Sequence, residues 1–196
     1  MNPISVVALD LGNVVLEIDI ETHLRSIGVM EEWKTLSHWK AHWDFETGKI
    51  STPEFCQAIR EKFSLKHSDQ EIESAWLKII VGFLPGIPAL LEEIHPRAKL
   101  VAVTNTNPPH VKLFKQMPEF QSFYKLFASN EVGFRKPERE IFETVAREMN
   151  VPPSEVLFFD DLPENIEAAK KVGFHAVHCY RSSELIRKTL EDYGVL

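Results

Sequence analysis

The sequence predicts an α/β fold: a parallel sheet with helices on both faces, interrupted after its first strand by an all-helical segment. Two observations carry this. Short apolar runs at 6–9, 100–103, 156–159 and 176–179 alternate with helix-patterned stretches, the order that parallel strands and their crossover helices require. Between 20 and about 82, by contrast, the chain carries helix signals and no strand pattern. At 196 residues and 44% hydrophobic, the chain can bury one good core with a small insertion. The expected division is a Rossmann-like core from 1–17 and 84–196, with a four-helix cap from 18–83.

In chain order, Val6-Val7-Ala8-Leu9 reads as a buried strand that delivers Asp10 to a turn at Gly12-Asn13. A short amphipathic helix over 20–27 closes at Gly28, a natural left-handed cap. The next, over 31–46, carries Trp33, Leu36, Trp39 and Trp43 near one face, a stripe better suited to packing than to ligand binding. Ser51-Thr52-Pro53-Glu54 and Ser68-Asp69-Gln70-Glu71 are capping boxes that open two more helices, the second running through Ala75, Trp76, Ile79 and Ile80. Leu84-Pro85-Gly86 breaks the helical pattern. Helix and strand then alternate: helix 89–94, strand 100–103, helix 109–115, a weaker strand 125–129, helix 137–149, strand 156–159, helix 164–172, strand 176–179 and a last helix.

The formal charge of -7 leaves no basic surplus for a phosphate backbone or an anionic membrane, which points away from nucleic acid and membrane and toward a small-molecule ligand. Two distant cysteines, Cys56 and Cys179, form neither a disulfide framework nor a zinc motif. The N-terminal apolar run lacks a basic leader and is broken by Asp10, so a cytoplasmic protein is expected.

Three apolar strands end on polar groups: Leu9 into Asp10, Val103 into Thr104-Asn105, and Phe159 into Asp160-Asp161. Alone, Asp10 could cap its strand and the Asp pair could simply favour a helix N-terminus. As parallel neighbours, however, these ends converge where ligands bind in such sheets, and three carboxylates there need a cation. Oxygen ligands of that kind suit Mg²⁺ shared with a substrate phosphate, while Thr104, Asn105 and Lys136 would supply donors to the remaining phosphate oxygens.

The ordered segments Asp10-Leu11-Gly12-Asn13-Val14, Val103-Thr104-Asn105-Thr106-Asn107, Gly133-Phe134-Arg135-Lys136-Pro137 and Phe159-Asp160-Asp161-Leu162-Pro163-Glu164-Asn165 resemble the four motifs of the haloacid dehalogenase superfamily of phosphohydrolases. The opening and Thr-Asn-Thr-Asn segments look most like bacterial sugar-phosphate phosphatases of the α-glucose-1-phosphate phosphatase type. The resemblance implies Asp10 as nucleophile, forming an aspartyl-phosphate. It implies Asp10, the Gly12 carbonyl, Asp160 and Asp161 as Mg²⁺ ligands, Thr104 and Lys136 holding the phosphoryl group, and Asn105 positioning either; Asn165 and Glu164 are candidates to orient the Asp pair.

Two positions depart from the family pattern. Most family phosphatases carry a second Asp two residues after the nucleophile as the general acid and base, and here that position is Gly12; Val14 also replaces a usual threonine. His38, His42 and Asp44 are candidates to supply the missing function from the cap. Two alternatives remain: a dehalogenase-like hydrolase that works without Mg²⁺, and a weakly active phosphate-binding module. The retained Asp160-Asp161 pair favours phosphoryl transfer.

Overall fold

The computed structural model describes residues 3–29 and 38–196. In chain order its elements are β1 (Val6–Leu9), β2 (Leu16–Ile18), α1 (Ile20–Arg25), α2 (Lys40–Glu46), α3 (Thr52–Phe63), α4 (Asp69–Leu77), β3 (Ile80–Phe83) and α5 (Ile87–Ile94). There follow β4 (Lys99–Thr104), α6 (Pro108–Phe114), β5 (Lys125–Ala128), α7 (Ser129–Val132), α8 (Arg139–Met149), β6 (Val156–Asp160), α9 (Pro163–Val172), β7 (His175–His178) and α10 (Ser183–Asp192).

The five apolar runs pair in parallel in the order β5-β4-β1-β6-β7, with β1 at the centre. Alternate residues of each strand serve opposite faces, as the two-residue period of a pleated strand requires. Val7 and Leu9 pack with Leu90, Leu91 and Ile94 of α5 and with Ile186 and Leu190 of α10. Val6 and Ala8 pack on the other face with Ile141, Phe142 and Val145 of α8 and Ile166 and Ala169 of α9. Both faces are therefore covered, and the α/β sheet that the alternation predicts is present.

The helical stretch differs from expectation at both of its ends. β2 and β3 form an antiparallel ribbon, with Leu16 opposite Phe83 and Ile18 opposite Ile80. The helix expected to run through Ile80 stops at Leu77. The apolar run at 79–81 fits either period, and the strand that decides it lies more than sixty residues earlier in the chain. Between the ribbon strands, Leu24, Phe45, Phe55, Ile59, Ile72 and Trp76 form a third apolar cluster, with Phe45 stacked on Phe55 at 4.1 Å. Both expected capping boxes are formed. Trp39 joins this cluster, Trp43 is exposed, and Trp33 and Leu36 lie outside the described residues. No described helix is long and apolar enough to cross a membrane.

His110 fastens α6 to the helical stretch. Its Nδ1 lies 3.1 Å from Asn107 Nδ2 and its Nε2 lies 2.9 Å from the Trp76 carbonyl at the end of α4. The carbonyl can only accept, so Nε2 carries the proton and the ring is held neutral. Burial lowers its pKa from 6.5 to about 4, against the pull of the Trp76 carbonyl. The folded-state value lies below the unfolded one, so this contribution is whole above pH 6.5 and is lost as pH falls toward 4. The full loss is on the order of 3 kcal/mol. Urea unfolding at pH 7 and pH 4.5 should show His110→Asn losing less stability between the two than the wild type, by about 2 kcal/mol.

Candidate active site

Register sets the site. Leu9 stands between Ala102 of β4 and Phe159 of β6, so the residues that follow, Asp10, Thr104 and Asp160, emerge together at the carboxyl edge of the sheet. The Asp10 amide donates to the Phe159 carbonyl (2.9 Å), which carries the pairing one residue past the strand. Asn13 turns the chain in the left-handed region (φ 56°), a conformation that asparagine tolerates better than most residues.

Asp10, Asp160 and Asp161 each offer a carboxylate oxygen, and the three lie within 4.8 Å of one another. Lys136 is inserted among them: its Nζ is 2.6 Å from Asp10 Oδ1 and 2.6 Å from Asp160 Oδ2. Burial alone would lower the lysine pKa, but the charges of Asp10 and Asp160 outweigh it and hold the ammonium firmly protonated. Asp10 is pushed up from 3.8 to about 7, chiefly by burial, against the pull of Lys136 and with the push of Asp160 and Asp161. Asp161 is also raised, by burial first. One ammonium among three carboxylates leaves a negative centre that is costly to ionise, which is the electrostatic requirement for holding a cation.

The surrounding residues fix these groups. Asp160 Oδ1 accepts from the Leu162 amide (2.9 Å) and from Asn165 Nδ2 (2.8 Å). Asn165 Oδ1 is buried without a hydrogen-bond partner, an acceptor suited to water bound on a metal. Asn13 donates from Nδ2 to Asp161 (3.0 Å) and accepts at Oδ1 from Arg181 Nε (3.0 Å). Arg181 also reaches Glu17 of β2 (3.0 Å), tying the ribbon to the metal-competent cluster. Asn105 spends both ends of its side-chain amide on Lys136, accepting from its backbone N–H (2.8 Å) and donating to its carbonyl (2.9 Å). It therefore positions the lysine, and the second hydrogen of its amide remains uncommitted.

A cavity of about 600 Å³ opens over this edge, lined by Asp10, Gly12, Thr104, Asn105, Lys136 and Asp161. Asp160 lies fully buried behind them. The residues expected to act as nucleophile, metal ligands and phosphate holders are thus at one place. Among the candidates from the helical stretch, His38 is exposed, Asp44 pairs with Lys40, and only His42 lines the cavity. Burial lowers His42 to about 3, assisted by Arg135 and His110, so it is neutral and lacks the imidazolium proton that a general acid gives up. Glu164, offered as a second orienting residue, lies on the exposed first turn of α9.

Glu46 lines the same cavity and was not singled out from the sequence. It ends α2, is buried, and lies 3.1 Å from Arg135 and 3.6 Å from His42 Nε2. Burial raises its pKa from 4.5 to about 7, against the pull of Arg135 and Lys136. Its spacing of four from His42 placed both on one helical face, a signal that was readable. Gly48 seats it: a Cβ there would lie 2.4 Å from the Asn130 carbonyl oxygen, so only glycine lets the end of α2 press on α7.

Comparison with known proteins agrees with this geometry. The model of haloacid dehalogenase-like hydrolases matches residues 4–173. A D-ribitol-5-phosphate phosphatase from Bacteroides thetaiotaomicron is 29% identical over 186 residues, covering 86% of this chain and 88% of that protein. A sesquiterpene phosphatase from Aspergillus oryzae is 28% identical over 177 residues, covering 86% of each. Among solved structures, a family enzyme from Bacteroides thetaiotaomicron in complex with magnesium and inorganic phosphate superposes with a TM-score of 0.83 at 25% identity, over 94% of this chain and 98% of that one. With four motifs in order, the sheet they build and a family model spanning most of its length, the chain belongs to the haloacid dehalogenase-like hydrolases.

Proposed function

We propose that this protein is a Mg²⁺-dependent phosphatase of small phosphorylated metabolites, sugar or polyol phosphates foremost, and that it works through an aspartyl-phosphate on Asp10. One observation carries the reading: Asp10 sits at the floor of an open cavity with an ammonium 2.6 Å away and two further carboxylates beside it. A nucleophilic carboxylate must approach a phosphate that is itself anionic; the ammonium offsets part of the repulsion, and the carboxylates would recruit a cation to offset the rest. Asp10, the Gly12 carbonyl, Asp160 and Asp161 would hold Mg²⁺, which when bound supplies charge neutralisation for the phosphoryl oxygens. Thr104 and Lys136 hold the phosphoryl group, with Asn105 fixing Lys136. Asp10 attacks phosphorus, the alcohol departs, and water then releases phosphate from Asp10.

Two features support the substrate class. The related ribitol-phosphate phosphatase acts on a phosphorylated polyol. The cavity mouth presents Asp19, Glu21, Thr22 and Arg181, groups able to meet hydroxyls. In this reading residues 18–83 act as a cap that admits substrate and then excludes water. The test is hydrolysis of an aryl phosphate with Mg²⁺ and after chelation, followed by a panel of pentitol and hexose phosphates. Turnover should require Mg²⁺ and should favour a member of the panel over the aryl ester in kcat/KM. Halide release from a haloacid without Mg²⁺, and no phosphate release, would replace this reading with the dehalogenase one.

A further inference from the structure

The site needs a proton donor for a leaving alkoxide, and position 12 cannot provide one. A Cβ added at Gly12 would lie 3.3 Å from Ile18 Cδ1, a tight contact with the tip of an apolar side chain from the ribbon. A replacement must face the cavity, be anchored, and hold a proton near neutral pH while remaining able to give it up. His42 faces the cavity but is held neutral. His110 is committed to Asn107 and Trp76.

Building on the phosphatase reading, we propose that Glu46 is the acid–base residue of this enzyme, delivered from the helical stretch instead of from the turn after the nucleophile. Glu46 and Asp10 line one and the same cavity. Burial favours the protonated form, and the guanidinium of Arg135 at 3.1 Å receives the ionised one, so both states have a host. The charged groups around it are Arg135 and Lys136, on the loop leading into α8; the neutral His42 ring lies 3.6 Å away, and His110 of α6 acts on His42. Arg135 is itself fixed over Trp43, 4.6 Å from the ring centre, one turn before Glu46 on the same helix.

The steps balance. As Asp10 Oδ bonds to phosphorus and the ester P–O bond breaks, the Glu46 proton passes to the departing oxygen, which leaves as the alcohol. Water then bonds to phosphorus and gives one proton to the Glu46 carboxylate while the Asp10–phosphorus bond breaks, so phosphate leaves with the other water proton and both carboxyl groups return to their starting states. Glu46 therefore serves once in each half of the cycle, and only the first service depends on how basic the leaving group is.

Glu46→Gln tests this, because the amide keeps the shape and cannot exchange the proton. With p-nitrophenyl phosphate, whose leaving group needs no proton, rapid mixing should show a burst of about one equivalent of nitrophenolate at close to the wild-type rate. Slow turnover should follow, reduced about 10²- to 10⁴-fold, with phosphate trapped on Asp10 after acid quench. With an alkyl phosphate the burst should vanish. Phosphoryl transfer slowed by the same factor on both esters, or unchanged on both, would overturn the proposal, since an ion pair that merely holds Arg135 cannot sense the leaving group. If Glu46→Gln shows no burst on the aryl ester, Glu46→Asp decides: a fall in the alkyl-to-aryl kcat/KM ratio of tenfold or more supports the proposal, and an unchanged ratio overturns it. Absence of phosphoryl transfer in the wild type would instead sink the phosphatase reading, and this proposal with it.

Discussion

Replacing Asp10 by Asn is expected to reduce phosphate release by at least about 10⁴-fold while leaving the protein folded, because the amide matches the carboxylate in size and cannot bond to phosphorus. The structure also bears on stability. Asp10 is held up to about 7 chiefly by burial, so at pH 8 the fold carries the cost of a buried charge that Asn does not impose. Lys136 loses one of its two partners in exchange and keeps Asp160 at 2.6 Å. These changes oppose each other, and the melting temperature should move by no more than a few degrees. Circular dichroism against temperature, read beside turnover of a sugar phosphate, checks both parts. Retained turnover in Asp10→Asn would end the proposed mechanism.

Lys136→Met should be costly in two currencies at once. Its ammonium is buried between Asp10 and Asp160, the second of which is fully buried. Removing the cation leaves two carboxylates close together without their counter-charge, the situation in which breaking a buried ion pair costs about 3–5 kcal/mol. Activity should fall by at least about 10³-fold, since a donor to the phosphoryl group is lost together with the charge that keeps Asp10 ionised. Added Mg²⁺ should stabilise this variant more than the wild type, because the ion then replaces the only positive charge in the cluster. Thermal denaturation with and without Mg²⁺ measures that difference; equal shifts in both proteins would remove the metal from this cluster.

The sheet was legible because its strands are buried on both faces, and continuous apolar runs ending in charge are visible one strand at a time. The β1, β4 and β6 ends would converge if those strands were neighbours, which the pairing of β1 with both bears out, and Asp10, Thr104 and Asp160 do meet there. The ribbon was not legible, since three residues at 16–18 find their partner at 80–83, and no local pattern encodes a pairing so far apart. The same limit hid Arg181, which reaches back to Asn13 and Glu17 from the far end of the chain. Glu46 was missed for another reason: a lone acid at a helix end is nearly always solvated, and only the packing of α2 against α7 and Arg135 takes this one out of water.

The ribbon also bears on how such a chain can vary. Leu16 faces Phe83, so everything between leaves the sheet and returns to it at a single doorway. For the sheet, an excursion that starts and finishes at adjacent points has the same closure requirement at any length, and closure entropy grows only slowly with the number of residues enclosed. Sequence between the ribbon strands can therefore be lengthened, shortened or exchanged without disturbing the register that assembles Asp10, Thr104 and Asp160. Selection can retailor what enters the cavity while the carboxylates and lysine at the sheet edge are inherited unchanged.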